Sequence, residues 1–214
     1  MLDCGVDESY SLFHLNTIAK ALADHHVDYL LLSNSALTSV GALPYLQKEG
    51  KLDSLKIMST SPTCKMASLT MYEYFIQRKE LSDFHLYSLY DVEKAFERVE
   101  LVSFNEHRKL RGDDVVVLSG HPSGSAIGGT CWKVEYNKQH IVYAQNLNDV
   151  PMNITVPMMR HTDFKSARLL ITNGYHKPRV IKNAAVQPGP RQHKFLSEDK
   201  LRAKLEKVLV EDRG

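Results

Sequence analysis

Several hydroxyl side chains follow a strongly apolar stretch near the start of the chain. Residues 27–32 form a compact apolar run, which is typical of a strand covered on both faces, and Ser33, Asn34 and Ser35 interrupt it. In α/β proteins, ligand chemistry concentrates at the carboxyl end of such a strand. A serine there could act as a nucleophile, but neither a G-x-S-x-G turn nor a recognisable base accompanies these serines. The sequence therefore favours hydrogen-bonded loop packing for them.

Histidines and glycines offer two further candidates for chemistry. His25 and His26 are adjacent, and neighbouring side chains of an extended segment point apart, so a solvated loop is favoured over a pair of ligands. The glycine-rich residues 120–129 lack the Gly-Lys-Ser/Thr sequence that cradles phosphate. Ser125 in this stretch also lacks a base, and His121 is predicted at the surface. The alternative is that His121 turns inward and restores a site.

The first half of the chain alternates between helix and strand patterns. Apolar spacing predicts helices over residues 11–24, from 61 to about 78, and over 91–98, with a short strand at 55–59. Thr38 or Ser39 is suited to cap the helix that follows the serine loop. The long middle helix should bury its large apolar side chains, which are Met66, Leu69, Tyr72, Phe75 and Ile76.

From residue 101 onward the pattern changes to the period of strands. Residues 115–118 are apolar and predict a buried strand, and 167–172 predict one more strand. Residues 130–136 and 140–144 flank a polar turn and predict a hairpin. Several helices followed by a run of strands indicate an α/β domain built in layers, with its helices on the outside.

The composition is that of an ordinary globular protein. The chain has 214 residues, of which 43% are hydrophobic and 24% charged, enough for one good core. Its net charge of +2 is too small to argue for nucleic acid by itself. Three cysteines without a C-x-x-C pair favour free thiols and an intracellular protein. No signal peptide is recognised, and no apolar run approaches the roughly 20 residues of a membrane span.

The end of the chain differs from the rest. Residues 175–194 are basic and contain no acid, which predicts a linker or surface loop. The alternative is contact with RNA phosphates. The candidate contacts are Lys177, Arg179, Lys182, Arg191 and Lys194. A last helix is predicted after Ser197, and its apolar stripe of Leu201, Leu205, Val208 and Leu209 needs a partner surface.

A set of short motifs occurs in a fixed order along the first 173 residues. They are Leu-Asp-Cys-Gly at 2–5, Gly-Ala-Leu-Pro at 41–44, Ile-Gly-Gly-Thr-Cys-Trp-Lys at 127–133, Ile-Val-Tyr-Ala at 141–144 and Leu-Leu-Ile-Thr at 169–172. Together they resemble the metallo-β-lactamase/β-CASP subunits of the cleavage and polyadenylation specificity factor (CPSF). The third motif is most similar to the non-catalytic members of that family.

The resemblance implies a fold and a division of the chain. We expect an α/β protein with a metallo-β-lactamase-like αββα sandwich, incomplete because its first strands are lacking, over residues 1–172. Residues 173–214 would form a linker and the beginning of a β-CASP domain. Such a chain would be a piece of a longer family member, with exposed apolar edges and poor solubility alone.

The resemblance also locates where active relatives bind two zinc ions, through His-x-His-x-Asp-His, a later His and a later Asp. The matching positions here are Ser33, Ser35, Leu37, Thr38, Ser125 and Asn146. Zinc prefers thiolate, imidazole or carboxylate ligands. Only Asp3, which matches an early acid of the family, keeps such a group. We therefore expect no metal, no cofactor and no catalytic residue.

Bound zinc lowers the pKa of its water to about 7 and so supplies the nucleophile; without zinc this nucleophile is not available. The resemblance thus implies a non-enzymatic scaffold in nuclear pre-mRNA 3′-end cleavage and polyadenylation. It would pair with the nuclease paralogue and a symplekin-type scaffold subunit, could contact pre-mRNA, and would involve no membrane. The alternatives are a metal-dependent endoribonuclease or hydrolase with a displaced site, and an RNA-binding module.

Overall fold

The computed structural model describes residues 1–110, 116–148, 154–156, 158 and 167–173. These residues belong to one compact unit, Met1–Gly174. The basic segment with Lys177, Arg179, Lys182, Arg191 and Lys194, and the helix predicted after Ser197, lie outside the described residues.

Helices dominate the first hundred residues and strands the rest. The helices are α1 (Leu12–Asp24), α2 (Leu37–Val40), α3 (Leu43–Lys48), α4 (Ser61–Leu81) and α5 (Leu89–Glu97). The strands are β1 (Tyr29–Leu31), β2 (Lys56–Ser59), β3 (Val99–Leu101), β4 (His107–Lys109), β5 (Val116–Pro122), β6 (Thr130–Tyr136), β7 (Gln139–Ala144) and β8 (Leu169–Thr172). Within the described part of the chain, no helix has the length and apolar character needed to cross a bilayer.

The strands form two sheets. The first is parallel, in the order β1-β2-β3, and its strands are joined through helices. The second has the order β4-β5-β6-β7-β8 and is antiparallel except for the last pair. β6 and β7 form the predicted hairpin, and its turn places Asn137 and Lys138 at φ +48° and +61°. Asparagine adopts this left-handed conformation more readily than most residues, which suits the tight turn.

The larger core lies between the first sheet and the helices. Leu30, Leu32 and Ile57 point from the sheet into it, where they meet apolar side chains from α1, α3, α4 and α5. Each fully buried leucine or isoleucine stabilises the fold by about 1.5–3 kcal/mol relative to an exposed one. α5 is fixed at its start by Ser88 and Asp91, which exchange hydrogen bonds in a capping box.

A smaller core joins the two sheets. Leu31 and Met58, which alternate with the residues above, face Leu118 and Trp132 of the second sheet. Trp132 is fully buried, and its indole N–H donates to the carbonyl of Leu32 over 3.0 Å. The described residues thus form helices, sheet and sheet in successive layers, and the predicted layered α/β class is confirmed.

The buried face of α4 differs from the prediction. Thr63, Ala67, Met71 and Phe75 are its buried residues, whereas three of the residues predicted inward are exposed. These three are Met66, Leu69 and Ile76. Because α4 carries apolar side chains on two sides, apolar spacing alone could not select one. The buried side includes the small Ala67 and Thr63, which allow close packing on the sheet and α5.

Two local predictions are also wrong. Thr38 and Ser39 lie inside α2 and do not cap a helix; instead Asn34 Oδ1 accepts the N–H of Ala36 over 2.7 Å. His121 is buried, with 7% exposure, because β5 continues through it and pairs it with Cys131. Its ring nitrogens lie 2.9 Å from Asn105 Oδ1 and 3.1 Å from Ser119 Oγ.

Candidate functional site

The N-terminal segment is tied along the loop that follows β1. The N–H of Asp3 donates to Leu31, that of Cys4 to Ser39, and that of Val6 to Leu37, over 2.9, 2.8 and 3.1 Å. Gly5 makes this approach possible, because a side chain at this position would collide with the backbone of Thr38. The segment therefore places Asp3 at the carboxyl end of β1, where α/β proteins usually bind ligands.

Three donors surround the Asp3 carboxylate. Its oxygens accept the Ser33 N–H over 2.7 Å, the Ser33 hydroxyl over 2.6 Å and the Tyr143 hydroxyl over 2.6 Å. Asp3 is 7% exposed, and its backbone has φ +54°, a left-handed conformation that aspartate tolerates better than most residues. Burial raises the pKa of Asp3, while the hydrogen bonds from Ser33 and Tyr143 act in the opposite direction.

Gln145 extends this network to the neighbouring loop. Its Oε1 accepts from Asn34 Nδ2 over 3.1 Å and from the Ser39 hydroxyl over 2.9 Å, and lies 3.2 Å from Ser33 Oγ. The Ser33 hydroxyl has one proton to donate, and it donates to Asp3 rather than to Gln145, because the Asp3 oxygen is closer. The loop after β1, the N-terminal segment and the end of β7 are thus joined by side-chain hydrogen bonds.

The six positions matched to zinc ligands have different environments. Ser33 is buried and bonded to Asp3, and Leu37 packs against the helix-side core. Ser35 is half-buried, and Thr38 and Asn146 are exposed, although Asn146 directly follows Gln145. The sixth, Ser125, is also exposed, and its Oγ lies 2.9 Å from Ser123 Oγ. Among the described residues, only Ser33 of the six donates a hydrogen bond to Asp3.

The residues present do not fit a zinc pair. The one carboxylate accepts hydrogen bonds from Ser33 and Tyr143, and the next polar group in the network is the amide of Gln145. Across the described residues, no three His, Cys, Asp or Glu side chains gather into a possible metal centre. A catalytic zinc takes three protein ligands of these types. The degenerate character of the six positions stays a prediction, which metal analysis can test.

Activation of a serine also finds no support in the geometry. The hydrogen-bond partners of Ser33 are Asp3, Gln145 and Thr130, whose N–H donates to the Ser33 carbonyl over 2.8 Å. None of them is an imidazole that could serve as general base. His121 bonds instead to Asn105 and Ser119. Cys4, Cys64 and Cys131 are free thiols, and burial raises the pKa of Cys131 to about 12.

Tyr143 and Gln145 belong to the site but were not predicted from the sequence. Tyr143 pairs with Trp132 across the hairpin, so its ring lies on the face that meets the first sheet. Strand periodicity carries this signal: Val142 and Ala144 are on one face, and polar Tyr143 and Gln145 on the other. Polar groups on the inner side of a strand need hydrogen-bond partners, which points to a buried network.

Comparison with known proteins assigns the fold to a family. The sequence pattern of the metallo-beta-lactamase superfamily domain matches residues 1–154, and the chain belongs to that superfamily. Its layers and the position of Asp3 at the end of β1 agree with this assignment.

Within the superfamily, the chain is similar to one named subunit. It is 35% identical over 149 residues to cleavage and polyadenylation specificity factor subunit 2 of Oryza sativa subsp. japonica, covering 69% of this chain and 20% of the relative. The protein of the same name from Arabidopsis thaliana is 30% identical over 180 residues, 82% of this chain and 23% of the relative. The chain thus spans about a fifth of these relatives.

A weaker similarity extends to a nuclease. Endoribonuclease ysh1 of Schizosaccharomyces pombe (strain 972 / ATCC 24843) is 22% identical over 187 residues, 86% of this chain and 24% of the relative. The greater identity to CPSF subunit 2 agrees with the resemblance drawn from the Ile-Gly-Gly-Thr-Cys-Trp-Lys motif.

Proposed function

We propose that this chain is part of a non-enzymatic scaffold subunit of the nuclear machinery that cleaves and polyadenylates pre-mRNA 3′ ends. Its similarity to CPSF subunit 2 of plants supports the process. The observation that carries the non-enzymatic role is the Asp3 carboxylate, which is held by Ser33 and Tyr143 where a metal centre would need free ligands.

Replacing these hydrogen bonds by a metal ion would be unfavourable. An ion bound to Asp3 would displace up to three donors, and each buried donor left unpaired costs about 1–3 kcal/mol. Of the positions matched to zinc ligands, Leu37 carries no ligand atom, and hydroxyl and amide groups are weak ligands for zinc. Without zinc the site has no metal-bound hydroxide, and its one carboxylate, Asp3, already accepts hydrogen bonds from Ser33 and Tyr143.

The partners belong to the same proposal. A scaffold with this fold would pair with the nuclease paralogue of the complex and with a symplekin-type subunit, as the family resemblance implies. Contact with pre-mRNA through Lys177, Arg179, Lys182, Arg191 and Lys194 is a further expectation, but these residues lie outside the described ones. The proposal therefore does not depend on them.

Metal content and RNA cleavage test the proposal together. Full-length chain purified without chelator and then offered Zn²⁺ should retain far less than one zinc per molecule by mass spectrometry. It should also leave RNA that contains a pre-mRNA 3′-end sequence intact, under conditions in which endoribonuclease ysh1 cleaves RNA. The matched variant Asp3→Asn should show the same background of zinc. Stoichiometric zinc that Asp3→Asn removes, together with RNA cleavage, would refute the proposal and favour the metal-dependent nuclease.

A further inference from the structure

A small cavity lies at the amino-terminal end of β1, between the end of α1 and the loop that joins α3 to β2. It has a volume of about 220 Å³. Its polar lining residues are His25, His26, Lys51 and Ser54, and the others are two leucines, a valine and an alanine. Apolar walls with a few polar groups are the usual composition of a ligand site. Asp3 lies at the opposite end of β1, so this cavity is separate from the candidate site.

Three of these polar side chains have donor groups that the protein leaves free. Among the described residues, the side chains of His25, Lys51 and Ser54 have neither a hydrogen-bond partner nor an ion-pair partner. His26 differs from them, because its ring is paired with Asp28 over 3.2 Å and is 90% exposed. A ligand in the cavity can therefore accept hydrogen bonds from three side chains without breaking a contact within the protein.

The charges around the cavity favour an anion. None of the described residues that line it is acidic, and Lys51 is cationic. Asp53 is close to Lys51 in the sequence, but its carboxylate is paired with Arg98 over 2.6 Å. Asp28 is likewise paired, with His26. These two acids are therefore already balanced by other groups.

The carboxyl end of α1 acts against an anion, because a helix carries partial negative charge there. Asp24, the last residue of α1, is exposed and does not line the cavity. Solvent and salt screen both effects, whereas an ammonium group that touches an anion forms a strong, charge-assisted hydrogen bond. Lys51 is half-buried, and its backbone N–H donates to the Leu46 carbonyl over 2.9 Å, which fixes its position. This lysine therefore decides which sign of charge the cavity prefers.

We propose that the cavity binds the phosphate group of a small phosphate ester. A carboxylate is best matched by the forked guanidinium of arginine, and the described lining contains no arginine. Phosphate oxygens accept hydrogen bonds from several directions, which suits an ammonium, an imidazole and a hydroxyl placed around them. The volume lies below the roughly 300–1,000 Å³ of sites for drug-sized ligands, so a group of about the size of a sugar phosphate fits.

This chemistry belongs both to a free sugar phosphate and to the terminal nucleotide of an RNA. The proposal does not depend on the scaffold role, since it concerns a different end of β1.

Binding of ribose 5-phosphate to the full chain tests the proposal, with ribose as the comparison ligand. By isothermal titration calorimetry, ribose 5-phosphate should bind at least about tenfold more tightly than ribose, because its charge strengthens each hydrogen bond. Equal affinity for the two, or no binding of ribose 5-phosphate at millimolar concentration, would overturn the proposal. Displacement by a short RNA with a 5′-phosphate, but not with a 5′-hydroxyl, would support an RNA end as the source. Binding without such displacement would support a free ester.

Three variants assign the binding to this cavity. Lys51→Met should weaken binding of ribose 5-phosphate by about tenfold or more. Lys20→Met is the matched control, because it removes the same charge from an exposed position on α1 that does not line the cavity. Ser54→Ala changes only an exposed hydroxyl, so the fold should tolerate it, and binding should weaken by about threefold. Equal losses for the two lysine variants, or unchanged binding by Ser54→Ala, would refute the site.

Proton NMR of the histidine rings supplies an independent measurement. Ribose 5-phosphate should shift the imidazole C2 proton resonance that is missing from the His25→Gln variant. The resonance that is missing from His26→Gln should shift less, because the His26 ring is exposed and paired with Asp28. A shift confined to the His26 resonance, or no shift at saturating ligand, would contradict binding in the cavity.

Discussion

Removing the hydroxyl of Tyr143 tests directly whether hydrogen bonds to Asp3 stabilise the candidate site. Tyr143→Phe removes only this oxygen, which donates to the Asp3 carboxylate over 2.6 Å, and keeps the ring beside Trp132. A hydrogen bond to a charged group contributes about 1.5–3 kcal/mol. We therefore expect the free energy of unfolding to fall by about that amount at neutral pH.

The effect of Tyr143→Phe should depend on pH because Asp3 titrates. Burial raises the pKa of Asp3 in the folded state, so the folded protein takes up this proton at a higher pH than the unfolded chain, whose aspartate has a pKa of about 3.9. Ionisation of Asp3 therefore lowers the free energy of unfolding as pH rises between these two values. Below both, Tyr143 meets a neutral acid, and its contribution should drop to about 0.5–1.5 kcal/mol.

Urea unfolding curves at neutral pH and near pH 3 provide the assay, combined in a double-mutant cycle with Asp3→Ala, which removes both acceptor oxygens. The coupling between the two residues at neutral pH should be about 1.5–3 kcal/mol. Tyr90→Phe is the matched control, because Tyr90 is 63% exposed on α5, and it should change stability by less than about 0.5 kcal/mol. Additive losses in the cycle, or a Tyr143→Phe loss that is no larger than that of the control, would refute the hydrogen-bonded description of the site.

Two further predictions concern packing. Trp132→Ala should lower the free energy of unfolding by about 3–5 kcal/mol, because it leaves a cavity in the core between the two sheets and removes the hydrogen-bond donor to the Leu32 carbonyl. In the same urea assay, a loss as small as that of Tyr90→Phe would contradict this prediction. Gly128→Ala should cost about 1–3 kcal/mol, since Gly128 has φ +76° and an added Cβ would lie 2.7 Å from the Thr63 nitrogen. Gly50→Ala is the control, because Gly50 also has a positive φ, +64°, but the atom nearest to an added Cβ is Asp53 Oδ2 at 3.8 Å. Only backbone strain of about 1 kcal/mol is therefore expected for Gly50→Ala. Equal losses of stability in the two variants would exclude a clash at Gly128.

Local patterns were sufficient to predict most elements. The hairpin of β6 and β7 combines alternating side chains with a polar turn, and α5 has both an apolar face and an acid in its first turn. Such signals depend on residues close in sequence, so they survive in any tertiary context that buries the apolar side. For the same reason β2 and α1 were predicted within a residue of their observed bounds.

Local patterns do not show which side of a helix is buried when both sides carry apolar residues. α4 has apolar residues on both sides, and tertiary packing buries the side with Ala67 and Met71 rather than the side with Leu69. The bonds of the candidate site join residues far apart: Ser33 and Gln145 are 112 positions apart, and Asp3 and Tyr143 are 140. No short-range pattern encodes such pairs, although the inward positions of Tyr143 and Gln145 are a usable signal.

The hydrogen bonds of the candidate site join residues that are far apart in the sequence, and they can therefore hold the fold together without a metal ion. Asp3, Ser33 and Tyr143 come from the N-terminal segment, the end of β1 and β7, so their hydrogen bonds fasten three segments at the place where the two sheets meet. In the active relatives implied by the motifs, zinc ions would join the same segments. Here neutral and charged hydrogen-bonding groups do so, while Trp132 joins the sheets beneath them. Since neither connection uses an ion, a chelator should leave the urea unfolding curve of this chain unchanged, and a chelator-induced loss of stability would contradict this account of the site.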